Sequence, residues 1–139
     1  MAGDSQPNVE AASVAETLPP WLAFGARAEH EGALLVDARV GVGQRVEDIR
    51  ALNFPDGSFD GVECHHVLEH LMPEEAKAAA RELWRVLRPG GVLEVSVPDL
   101  VRCAQTLISG NMAILMNIYS PAQEPEQRHR WGYTSATFQ

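Results

Sequence analysis

DIRALNFPDGSFDGVECHHVLEHL (48–71) and ELWRVLRPGGVLEVSVPDL (82–100) decide the fold of this chain. NFPDGS (53–58) places Pro, Asp-Gly and Ser in succession and reads as a turn. FDGVEC (59–64) is a strand, and HHVLEHL (65–71) reads as one or two helical turns. PEEAKAAARELWRVL (73–87) is the strongest helix in the sequence. Pro73 suits its first turn, and Glu74 and Glu75 suit the positive end of its dipole. Ala76, Ala79, Ala80, Leu83, Val86 and Leu87 recur at helical spacing as one apolar stripe. Arg85 and Arg88 favour its C-terminal end, and Pro89-Gly90-Gly91 is expected to stop it. VLEVSVP (92–98) is the next strand.

Outward from this stretch, WLAF (21–24), ALLVD (33–37) and RVEDI (45–49) are strand candidates. Residues 1–8 are small and polar. VEAASVAET (9–17) reads as a short helix with Asn8 as N-cap, stopped by Pro19 and Pro20. Downstream, helices are expected over 99–109 and 111–118, split by Gly110, before a polar tail. The Asn111–Tyr119 stretch, with Met112 and Met116, reads as core or interface. Gly41-Val42-Gly43 is a turn, because too few residues separate it from Asp48 for the helix a dinucleotide loop must open. Strands alternating with helices or short crossovers imply an α/β fold with a mostly parallel sheet and helices on both faces. The division expected is an N-terminal tail with a short helix (1–18) and one domain (19–139).

The chain has 139 residues, of which 45% are hydrophobic and 22% charged, an ordinary globular composition. Its formal net charge of −8 argues against a nucleic-acid partner, which needs a basic surface. No stretch approaches the ~18 apolar residues needed to span a bilayer, so no membrane partner is expected. The polar, acid-bearing start MAGDSQPNVE does not read as a secretory signal. Cys64 and Cys103 have no metal-ligand or C-x-x-C spacing and suit buried free thiols in a reducing compartment, so a cytoplasmic location is expected.

Three signatures in order resemble the class I S-adenosylmethionine (SAM)-dependent methyltransferases, in their short, small-molecule subgroup. They are the acid Asp48 followed by the PDGSFD turn (55–60), then VLEH (67–70), then RVLRPGG (85–91) with Pro98-Asp99 after the next strand. The segment 21–39 occupies the place of the subgroup's first strand, glycine turn and second strand. IYSPAQEPEQRHRWGYT (118–134) resembles its substrate-side loop. The resemblance implies a Rossmann-like sheet. The terminal antiparallel strands of the family have no counterpart here, which reads as a truncated C-terminus.

The resemblance also implies a site. SAM would bind outside the carboxyl ends of the strands, near the switch in strand order. Gly25 meets the need for a tight turn at the methionine end. The next family glycine falls at Arg27, a degenerate position where the arginine either fills the pocket or pairs with the cofactor carboxylate; the sequence leaves both open. Asp37 corresponds to the acid that accepts both ribose hydroxyls. Asp48 corresponds to the acceptor for the adenine amino group, with the Ile49 backbone beside it. Cys64, His65 and His66 stand where the fourth strand meets cofactor and acceptor. His65 or His66 is the candidate base, with His129 as a second, since an imidazole suits an oxygen or nitrogen acceptor. Glu69 and His70 read as a structural pair bracing the loop.

His66, Glu69 and His70 also match H-x-x-E-H, a zinc pattern, but no third ligand is visible in the sequence and no metal is expected. The leading expectation is therefore a SAM-dependent methyltransferase acting on a small molecule. The rivals are a catalytically inactive protein of the same fold that binds a partner, and a fragment of a longer enzyme. The lost terminal strands would leave a sheet edge, so a homo-oligomer is an expectation too.

Overall fold

The computed structural model describes residues 17–25, 28–39, 41–120 and 125–138. The expected helix over 9–17 falls almost wholly outside them, as does Arg27. Five strands form one sheet: β1 (Trp21–Phe24), β2 (Leu34–Asp37), β3 (Arg45–Val46), β4 (Phe59–His65) and β5 (Leu87–Ser96). Their spatial order is β3-β2-β1-β4-β5, and every pairing is parallel. The helices are α1 (Pro73–Val86), α2 (Leu100–Ile108) and α3 (Leu115–Tyr119). Single 3₁₀ turns occupy Leu68–His70, Met112–Ile114 and Pro125–Gln127. The fold is α/β and Rossmann-like in its strand order. Among the described residues, no helix is long and apolar enough to cross a membrane.

Pairing fixes which side chains share a face. Leu22 aligns with Leu34 and Val62, and Cys64 aligns with Val95. Side chains alternate along a strand. Leu22, Phe24, Val36, Val62 and Cys64 therefore face one side, where Ala79, Leu83 and Val86 of α1 meet them. Ile49, Leu52, Phe54, Phe59, Leu68 and Tyr133 complete this core. Arg85 ties α1 to the turn before β4 by donating to the carbonyls of Phe54 (2.7 Å) and Leu52 (3.0 Å). Glu82 accepts from the Leu52 N–H at 2.7 Å.

The opposite face carries Trp21, Glu63, His65, Glu94 and Ser96. Loop 28–33, rather than a helix, crosses this face among the described residues. The His30 ring stacks on Trp21 with 3.4 Å between centroids. Its Nδ1 lies 2.9 Å from the fully buried Glu63 carboxylate, which also accepts from the Glu29 N–H at 2.7 Å. Gly61 makes room for this arrangement, since a Cβ there would sit 2.5 Å from the indole.

Three local expectations change. The helix expected over 73–87 ends at Val86, and β5 starts at Leu87 instead of Val92. A residue preceding proline avoids the α region, so the chain leaves the helix before Arg88-Pro89. Pro89-Gly90-Gly91 then lies in a register irregularity of β5 opposite Phe59–Gly61. The strand expected over 45–49 shrinks to Arg45–Val46. Asp48 accepts from the Arg50 N–H at 2.9 Å, an Asx turn that bends the chain off the sheet. The helical turns expected over 65–71 reduce to one 3₁₀ turn, because His66 takes φ +56° immediately after β4.

Leu83 is 1% exposed in the centre of the α1 contact, and Trp84 beside it is 74% exposed. Leu83→Ala is expected to cost about 2–5 kcal/mol in urea unfolding. Trp84→Ser is expected to stay within about 0.5 kcal/mol of the parent.

Candidate active site

The strand order switches direction at β1, which lies between β2 and β4. In open parallel sheets the ligand crevice forms beyond the carboxyl ends of the strands at such a point. Gly25 ends β1 there with φ +113°, and a Cβ on it would approach the His65 carbonyl to 3.0 Å. Glycine thus allows the β1 turn to lie against the end of β4. Arg27, the departure from the glycine pattern, is outside the described residues.

Asp37 is the last residue of β2, Asp48 lies two residues past β3, and each carries an arginine two residues on. Asp37, nearly buried at the end of β2, accepts from the backbone N–H, Nε and Nη2 of Arg39, each at 2.8 Å. Asp48, exposed after β3, accepts in the same way from Arg50. Arg50 Nη1 also donates to Glu75 at 2.6 Å. These hydrogen bonds hold the Asp37 carboxyl below its ordinary value against the opposing effect of burial, and Arg50 does the same for Asp48. The spacing Asp-x-Arg occurs at both acids in the sequence and was the available signal for these pairs. Ile49 is a core side chain.

The end of β4 separates its residues. The Cys64 side chain lies in the core, and burial pushes its thiol well above the ordinary range, so it stays neutral. His65 turns to the other face, with Nδ1 2.9 Å from Ser96 Oγ and a buried Nε2 that lacks a hydrogen bond. His66 is exposed, with Nδ1 3.3 Å from Glu69 Oε1. His129 brings Nε2 to 3.9 Å from the same carboxylate, and its ring meets His70 edge-on at 4.9 Å. Burial lowers the His129 pKa, with Glu69 opposing. The structure thus brings His66 and His129 together around Glu69 and leaves His65 apart. Glu69 also anchors the substrate-side segment, since its carbonyl accepts from the N–H groups of Arg130 (2.7 Å) and Trp131 (3.2 Å). The sequence marked Glu69 only as a brace. Its contact with His129 depends on a residue far along the chain.

An open parallel sheet with a glycine-lined crevice at its switch point defines the ligand-binding class of Rossmann-like α/β folds. The family model described as a methyltransferase domain matches residues 21–95, more than half of the chain, and the chain belongs to that family. The 2-methyl-6-phytyl-1,4-hydroquinone methyltransferase of Synechocystis sp. is 51% identical over 51 residues, which cover 37% of this chain and 15% of that protein. An uncharacterized methyltransferase of Schizosaccharomyces pombe is 44% identical over 57 residues, 41% of this chain and 20% of its own length. The matches to these relatives thus span a fifth of their length or less. A crystal structure from Pyrococcus horikoshii OT3 aligns with a TM-score of 0.44 at 26% identity, covering 55% of this chain and 42% of that one.

The Asp37–Arg39 pair gives a sign for pH dependence. A carboxyl held below its ordinary 3.8 contributes stability that is present above that pH and lost as pH falls through the folded value. The urea midpoint of the parent is expected to fall more steeply on acidification than that of Asp37→Asn. Equal acid slopes would show that the pair contributes nothing.

Proposed function

We propose that this chain forms the cofactor-binding part of a SAM-dependent methyltransferase acting on a small-molecule acceptor. One observation carries the reading. Gly25 at φ +113° packs against the end of β4, with the Asp37 carboxylate buried at the end of the neighbouring β2. A cofactor with an amino-acid end, a ribose and an adenine needs a close backbone approach at one point and acids at the next two strand ends. Gly25, Asp37 and Asp48 supply those three features in that order.

SAM would supply a methyl group on a sulfonium, transferred in line to the acceptor. The chain's own residues hold, align and deprotonate. Asp37 would accept from the ribose hydroxyls once the Arg39 guanidinium turns away, and Asp48 would accept from the adenine amino group, with the Ile49 backbone alongside. The Gly25 turn and the backbone at Cys64-His65 would border the methionine end. His66 stands at the mouth of β4 with its Nδ1 toward Glu69, so that Nε2 is left to take a proton from the acceptor. Alignment of the acceptor is the larger contribution in such a displacement.

The acidic charge supports a small or neutral acceptor over nucleic acid. Two free, buried cysteines suit a cytoplasmic location. β5 ends the sheet with Val92 and Leu93 partly exposed, an edge that a second copy of the chain would cover.

The Arg39 and Arg50 pairings favour a second reading, a methyltransferase-fold binding protein whose acids are closed by its own arginines. Calorimetric titration with SAM and its demethylated product separates the two. Under the first reading, micromolar binding is expected, weakened about tenfold or more by Asp37→Ala and changed less than about twofold by His66→Ala. Folded protein that binds neither compound would overturn it. Arg39→Ala reads the latch directly. Tighter cofactor binding in this variant than in the parent is the result expected if the guanidinium competes for Asp37.

A further inference from the structure

The H-x-x-E-H segment carries His66, Glu69 and His70, and the fold brings a further histidine to the last two, with His66 outside the cluster. His129, on the segment anchored to the Glu69 backbone, comes to Glu69 and His70 so that one donor atom of each lies within 4.8 Å of the others. Glu69 is 1% exposed, and its Oε2 has no hydrogen-bond partner. A buried carboxylate oxygen left without a partner is costly, and a cation removes that cost.

His70 is held as metal-binding imidazoles are held. His70 Nδ1 lies 3.3 Å from the Arg128 carbonyl, leaving Nε2 as the free nitrogen. The His129 Nε2 faces Glu69. A backbone carbonyl on one ring nitrogen fixes the tautomer and presents the other nitrogen to a metal. Glu69 and His129 also line a cleft of about 20 Å³ together with Pro98, Leu100 and Cys103. That is room for about one water molecule.

We propose that Glu69, His70 and His129 form a binding site for one divalent transition-metal ion of the zinc type. Two imidazoles and one carboxylate are a zinc donor set, whereas magnesium and calcium take oxygen ligands. Donor atoms around a tetrahedral zinc with bonds of about 2.0–2.1 Å stand roughly 3.3 Å apart. The three groups therefore close on an ion through side-chain shifts on the order of an ångström. His66 and His129 both approach Glu69 Oε1, and Oε2 has no partner, so the carboxylate has one oxygen to spare for the ion while the other keeps His66. The fourth position is left to water or to His66. A second cluster among the described residues, His30, Glu63 and Glu94, is already satisfied. There the buried Glu63 already accepts from His30 and from the Glu29 N–H. The proposal does not depend on methyl transfer.

The test uses the full chain, stripped of metal by chelation. Zn²⁺ is titrated by calorimetry and Co²⁺ by visible absorption. One equivalent of Zn²⁺ is expected to bind, with Co²⁺ showing the intense bands of low coordination and Mg²⁺ giving no heat. His129→Ala and Glu69→Gln are expected to weaken binding about tenfold or more, and His30→Ala to leave it unchanged. Long-range ¹H–¹⁵N spectra of the unsubstituted protein provide a readout that needs no variant. The ring nitrogens of His70 and His129 are expected to shift with zinc and those of His30 to stay. The proposal falls if folded protein shows no saturable Zn²⁺ binding. It also falls if His129→Ala keeps full affinity, or if the shifts appear at His30 and not at His70 and His129.

Discussion

The parallel pairing of β1 with β4, from Trp21 opposite Gly61 to Phe24 opposite Cys64, is the constraint on which the rest of the structure depends. At its start, the missing side chain of Gly61 lets the Trp21 ring lie over β4. That ring holds His30, and His30 holds Glu63. At its end, the same register brings Gly25 against the His65 carbonyl. A slip of one residue would exchange every side chain between the two faces. It would drive Glu63 into the apolar core beside Leu83 and lift Val62 out of it. A buried acid without partners is too costly for that alternative to compete, so Glu63 acts as a register pin.

Two buried glutamates, Glu63 and Glu69, thus do different work, and their hydrogen bonds distinguish them. Glu63 is surrounded by donors: a backbone N–H, a second N–H at 3.5 Å and an imidazole. Glu69 is as deeply buried, yet one of its oxygens has no partner, and the histidines around it reach it at 3.3 and 3.9 Å. Native structures rarely leave a buried polar atom unsatisfied without a functional reason. The same contrast of environments would be invisible in the sequence, where both residues are single acids in apolar surroundings.

The sheet and the α1 crossover were legible because short-range signals agreed there. WLAF is a continuous apolar run of the kind that pairs in a covered parallel sheet, FDGVEC adds Phe59, Val62 and Cys64 to the same core, and the apolar stripe of α1 matches the core it meets. What was not legible came from local competition or from distance. The Asx turn at Asp48 outweighed the β propensity of RVEDI. The Arg88-Pro89 step ended α1 before the glycines were reached. The sequence singled out Asp37 and Asp48 but not their arginine partners, although each sits only two residues on, because a side-chain pair across a tight turn leaves no periodic trace. His129 meets Glu69 only through the return of the C-terminal segment, whose Tyr133 pairs with Asp99 and is buried beside Leu68.

The paired arginines bear on how the crevice would accept a ligand. Asp37 lies desolvated in a polar cage made by its own chain, so the cost of burying the charge is met within the folded protein. One of its three donors is a backbone N–H, which stays in place whatever the side chain does. The other two belong to a guanidinium that is 37% exposed and can swing into water. Ribose hydroxyls would replace two hydrogen bonds charged at both ends by two in which only the carboxylate is charged, an exchange that is unfavourable at the carboxylate taken alone. It becomes favourable when rehydration of the guanidinium, or an anionic group on the ligand, offsets the difference. Under the proposed reading, an arginine in this position therefore penalises a ligand that offers hydroxyls alone, which is why the Arg39 guanidinium and not the backbone N–H is the group a ligand must displace.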